Sequence, residues 1–103
     1  MQIKKNELHK SVRTEGENLV IGPADWLPNT DPDLLEDYPF YKDIALAGLK
    51  HTDQLVVTYT GRNRTLAKEC MLDYIEARDN LIRVFCAEIP VENISATLTV
   101  IKK

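Results

Sequence analysis

The chain is poor in the residues that usually carry chemistry: among 103 residues there are two cysteines, two histidines and four glycines. Cys70 and Cys86 fit no metal-binding spacing, and without a secretory context they read as two buried thiols. The glycines form neither Gly-x-Gly-x-x-Gly nor a P-loop, so dinucleotide and nucleoside triphosphate binding have no support. There is no Gly-x-Ser-x-Gly elbow. His9 lies in a polar stretch; His51 stands near Asp53, a conceivable pair for which no nucleophile offers itself. Asp31 and Asp33 match part of a calcium-loop spacing but lack its glycine and its distal glutamate. The sequence therefore predicts no enzyme, no cofactor and no metal site.

Long apolar runs are also missing. No stretch of about 18 apolar residues is present, which argues against a membrane-spanning helix. The first ten residues are polar and of mixed charge, so no signal peptide is expected and folding in a cytoplasm is. There the glycosylation patterns at Asn63 and Asn93 would stay unmodified.

What is present is a chain of single-domain length, able to bury one core. The net charge of −3 is unevenly spread. Lys4, Lys5, Lys10 and Arg13 make the start basic, whereas Asp25, Asp31, Asp33, Glu36, Asp37 and Asp43 make the next third acidic. The basic stretch lacks interleaved aromatics and the acidic one repels phosphates, so no nucleic-acid partner is expected. Arg62 and Arg64 read as solvated arginines flanking a helix cap rather than an anion site.

Periodicity supplies an architecture. Residues 1–17 form a polar arm and residues 18–103 one domain. The segment from Asn80 to Pro90 is largely apolar on both faces of a strand, with Ile82, Val84 and Cys86 on one and Leu81, Phe85, Ala87 and Ile89 on the other along with Arg83, and reads as central. Leu19-Val20-Ile21 is a short strand closed by Gly22-Pro23. Trp26 caps one end of the core, and residues 28–36 form a loop. Residues 38–47 and 54–60 alternate and are expected to pair as an antiparallel hairpin. Leu66, Ala67, Cys70, Met71, Tyr74 and Ile75 form a helical stripe, predicting an amphipathic helix from Arg64 to about Arg78 with Asn63 as N-cap. Ile94, Ala96, Leu98 and Val100 alternate with Ser95, Thr97 and Thr99 in a half-buried closing strand. The expected fold is α+β, an antiparallel sheet of four to five strands with one amphipathic helix packed on it. Leu66, Cys70, Tyr74, Ile82, Val84 and Leu98 should meet in one core.

Several of these residues follow a familiar order: Trp26, Tyr38-Pro39-Phe40-Tyr41, Ile44-x-Leu46-x-Gly48-Leu49, Leu55-Val56-Val57, Ile82 to Ala87, and Pro90 before a closing strand. In this the chain resembles a small domain of tail-fibre, baseplate and other tail-associated proteins of phages and prophages of Gram-positive bacteria. The resemblance spans about Leu19 to Lys103 and brings no catalytic residues. It implies a structural or attachment role in a virion assembled in the bacterial cytoplasm, with other phage structural proteins or further copies of the chain, for example a homotrimer, as partners. The alternative is a small cytoplasmic binding or regulatory protein. The expected contact residues are Lys4, Lys5 and Arg13 of the arm, Asp31 and Asp33 of the acidic loop, and the aromatics Trp26, Tyr38 and Tyr41.

Overall fold

Strand β6 (Leu81–Cys86) lies between β3 (Phe40–Ala45) and β5 (Ile75–Arg78) in a computed structural model that describes residues 13–102. The remaining elements are β1 (Arg13–Ile21), β2 (Leu27–Pro28), β4 (Gln54–Thr58), β7 (Ile94–Lys102) and the helix α1 (Arg62–Cys70). The fold is α+β, with one helix among the described residues. Its strands divide between two antiparallel sheets rather than one: β1-β7-β4 and β2-β3-β6-β5.

The two sheets and the helix share one core. Ile82, Val84 and Cys86 of β6, Ile94, Ala96, Leu98 and Val100 of β7, Leu19 and Ile21 of β1, and Ala67 and Cys70 of α1 are buried in a single cluster. Period-two alternation places these strand residues on one side of each sheet, and the face with most to lose in water turns inward. Leu66 packs against this cluster half-buried, and Trp26 does the same at its margin. Tyr74 was expected in this core and is not there; it lies on the opposite side of the four-stranded sheet, against Phe85. Pro90 ends the segment after β6 and is buried.

The helix is shorter than its stripe predicts. Met71 adopts a left-handed conformation at φ 56° and ψ 52°. Its N–H donates to the Lys68 carbonyl, and that of Leu72 to the Ala67 carbonyl. This is the Schellman way of ending a helix, sealed by the buried Leu72. Ile75–Arg78 then pairs with Leu81–Val84 across the two-residue turn Asp79-Asn80, with Asn80 at φ 65°. Asparagine tolerates that conformation. Nor does Asn63 cap the helix: Gly61 stands at the start, and the Asn63 side chain accepts from the Ser95 N–H.

The expected hairpin of the third and fourth strands is also absent, because β3 pairs with β2 and β6 while β4 pairs with β7. The connection between them is fastened to the β5–β6 turn instead. Leu46 N–H donates to the Asn80 carbonyl, Asn80 N–H to the Leu49 carbonyl, and Gly48 N–H to the Asn80 side chain. With Leu49 buried in the core, this segment crosses from one sheet to the other. Strand β1 is longer than Leu19-Val20-Ile21, since Arg13 to Glu17, assigned to the arm, pair with β7 as well.

Candidate interaction face

The outer side of the four-stranded sheet carries two rows of side chains that run across the strands. Residues directly opposite in an antiparallel ladder share a face. Leu27 of β2 is opposite Tyr41 of β3, which is opposite Phe85 of β6. Tyr74 extends the row: its carbonyl accepts from the Phe85 N–H, and its ring centre lies 5.0 Å from that of Phe85. Tyr38 leans over the row, 5.5 Å from Tyr74 and 6.2 Å from Phe85 between ring centres. Phe85 is thereby 2% exposed although it points away from the main core. Leu27, at the far end, is 50% exposed.

The second row is charged. Asp43 of β3, Arg83 of β6 and Glu76 of β5 stand opposite one another in register. Arg83 donates two hydrogen bonds to Asp43, of 2.8 and 3.0 Å, and its guanidinium carbon lies 4.2 Å from the centre of the Tyr41 ring. A planar guanidinium matches both partners, because its fork fits a carboxylate and its face fits a ring. Glu76 accepts from the Tyr74 hydroxyl and from Arg78.

Two of the three tyrosine hydroxyls on this face, those of Tyr38 and Tyr74, are tied to carboxylates. Tyr38 donates to Asp73, and burial followed by that bond pushes its phenol up to about 12. The bond to Glu76, then burial, pushes the Tyr74 phenol up as well. These rings are held in one orientation by bonds at their polar ends.

Of the residues expected to make contacts, the structure brings Tyr38 and Tyr41 together against Phe85. Trp26 is fixed elsewhere: its indole N–H donates to the Gly22 carbonyl, and Lys42 lies over its ring at 5.7 Å from the centre. Asp31 shapes its own loop, accepting from Leu34 and Leu35 N–H at its carbonyl and from Asp33 N–H at its side chain. Asp33 is exposed, Lys4 and Lys5 lie outside the described residues, and Arg13 is the first residue of β1.

The sequence reading missed Leu27, Tyr74, Phe85, Arg83, Asp43 and Glu76. Tyr74 and Glu76 were hidden in a helix that does not reach them. Recognising Asp79-Asn80 as a hairpin turn places Glu76 opposite Arg83 by counting alone.

The chain matches no family model, no curated protein and no solved structure. The likeness to tail-associated domains therefore rests on residue order alone.

His51 does not pair with Asp53. Its Nδ1 lies 3.0 Å from Asp79, whereas Asp53 accepts from Lys102 at 2.8 Å. Among the described residues no three His, Cys, Asp or Glu side chains converge as a metal site would require. Burial raises both thiols, that of Cys86 to about 12 with the neighbouring Cys70 adding to it, so neither has the thiolate character of a nucleophile.

Proposed function

We propose that the chain is a non-catalytic attachment module, working as a component of a phage tail, and that it holds its partner protein on the outer face of the four-stranded sheet. The observation that carries this is the Leu27–Tyr41–Phe85–Tyr74 row with Arg83 stacked on it. Tyrosine and arginine dominate the energetic centres of interfaces because they bring large contact area with few torsions to freeze. The charged row neutralises much of itself, so a partner can cover it without stranding an unpaired charge.

The tail setting comes from the resemblance, whose residues fall into two groups. Ile44, Leu46, Leu49 and Pro90 are packed inward and speak for a shared fold. Tyr38 and Tyr41 lie on the proposed face and speak for a shared use. A small regulatory protein would use the same face on a different partner, and flanking tail genes discriminate the two.

The test is sedimentation equilibrium of the full chain, alone and mixed with the structural proteins encoded beside it, for wild type and Leu27→Asp. Leu27 is half-exposed, so the substitution leaves folding intact and places a charge in the face. Wild type should form a homo-oligomer or a complex, and Leu27→Asp should lose it at an unchanged melting temperature. A wild-type chain that stays monomeric and binds none of those proteins would sink the proposal.

A further inference from the structure

A cleft of about 500 Å³ opens beside α1, on the side where β4 and β5, the edge strands of the two sheets, approach each other. It meets the aromatic face at Asp73, which accepts the Tyr38 hydroxyl, but takes no part in the reading above. Its volume falls within the usual range for small-molecule sites, roughly 300–1,000 Å³. Val57 of β4, Leu72 after the helix and Ile75 of β5 give it an apolar wall, and Met71 adds a flexible thioether.

The polar groups around this wall differ in what they have left to offer. Tyr59 has spent its hydroxyl hydrogen on the Leu72 carbonyl at 2.8 Å. Asp73 accepts the Tyr38 hydroxyl. Arg64 and Lys68, one helical turn apart on α1, also line the cleft and join no ion pair among the described residues. An apolar wall beside two cations that no described carboxylate engages asks for a ligand that is apolar for most of its length and negative at one end.

We infer that this cleft binds a small amphipathic monocarboxylate, its carboxylate on Arg64 and Lys68 and its hydrocarbon part against Val57, Leu72 and Ile75. Carboxylate suits the guanidinium fork, and an adjacent apolar wall strengthens a charge-assisted bond by excluding water from one side. Asp73 sets the limit on charge. Its carboxylate lies in the same cleft, and its field already helps to raise the Tyr59 phenol, so a ligand with a second or third negative charge is repelled.

The experiment is a titration of the full-length, ¹⁵N-labelled protein with decanoate below its micelle concentration, followed by amide NMR, with decanol and inorganic phosphate as parallel probes. Decanoate should saturate shifts at Val57, Ala67, Leu72 and Ile75. Decanol should bind about tenfold more weakly, and phosphate should not move these amides, since each probe lacks one half of the required chemistry. Arg64→Gln and Lys68→Gln should each weaken decanoate about tenfold. Both side chains are exposed on the helix; were either variant to misfold, the decanoate–decanol ratio on the wild type decides alone. Absence of saturable shifts, equal binding of decanol, or phosphate binding at the same amides would each overturn the inference.

Discussion

Arg83 joins the two rows of the outer face: its guanidinium lies 4.2 Å from the centre of the Tyr41 ring and donates to both carboxylate oxygens of Asp43. Arg83→Ala removes the stack and the fork together and should cost about 2 kcal/mol, while Arg83→Lys, which keeps the charge, should cost about 1 kcal/mol. Urea midpoints with a double-mutant cycle through Asp43→Asn measure the shared part. Equal midpoints for wild type and Arg83→Ala would show that the pair contributes nothing.

Val84 is fully buried at the centre of β6, paired with Lys42 on one side and Ile75 on the other. Val84→Asp puts a carboxylate into that core, where the facing Lys42 ammonium is already engaged by the Gly22 carbonyl and the Trp26 ring, at a cost of several kcal/mol, and should abolish cooperative folding. Circular dichroism melting is sufficient to check it.

Both thiols should react only on unfolding. Ellman's reagent is expected to label neither Cys70 nor Cys86 in native buffer and both in denaturant. Cys86→Ala should cost a few kcal/mol at most, through lost packing. Rapid labelling of Cys70 in the native chain would contradict its burial.

Acid should weaken the protein through Asp53, whose side chain is 6% exposed. The Lys102 ammonium, followed by the Lys50 N–H, holds this carboxyl below its ordinary value of 3.8. The unfolded chain therefore takes up the proton first. The contribution is complete above the ordinary value and is lost as pH falls through the lower, folded one. Asp53→Asn should flatten the dependence of the urea midpoint on pH in that acid window.

Alkali should act through phenols. Tyr38 and Tyr59 are raised from 10.0 to about 12, in both cases chiefly by burial. Their contribution is intact below 10.0 and disappears as pH rises to about 12, because the unfolded phenols ionise first. Tyr59→Phe should reduce the alkaline loss of stability, while costing about 1 kcal/mol at neutral pH through the orphaned Leu72 carbonyl.

Legibility in the sequence followed periodicity and failed at junctions. The central place of β6, its end before Pro90 and the alternation of β7 could be read because each is a run long enough to show its period. The segment Leu66 to Ile75 misled because Tyr74 and Ile75 continue the helical spacing by coincidence, and one left-handed residue, Met71, outweighs it. The pairing of β3 with β6 spans some forty residues of chain, and periodicity carries no information about which strands meet. The outer face inherited both errors. Two of its tyrosines were visible as aromatics, but their convergence on Phe85 depends on the hairpin.

Strand β7 runs between β1 and β4 and, among the described residues, is the only neighbour either has in its sheet. During synthesis, then, both strands leave the ribosome before their β7 partner, and wait until Ile94 to Lys102 have followed. Leu19, Ile21, Leu55 and Val57 stay in water for that interval. Closing a sheet between such distant segments is slow compared with forming a hairpin. A translation product halted before Ile94 would present two open strand edges beside uncovered apolar side chains, the condition under which chains pair with each other instead of with themselves.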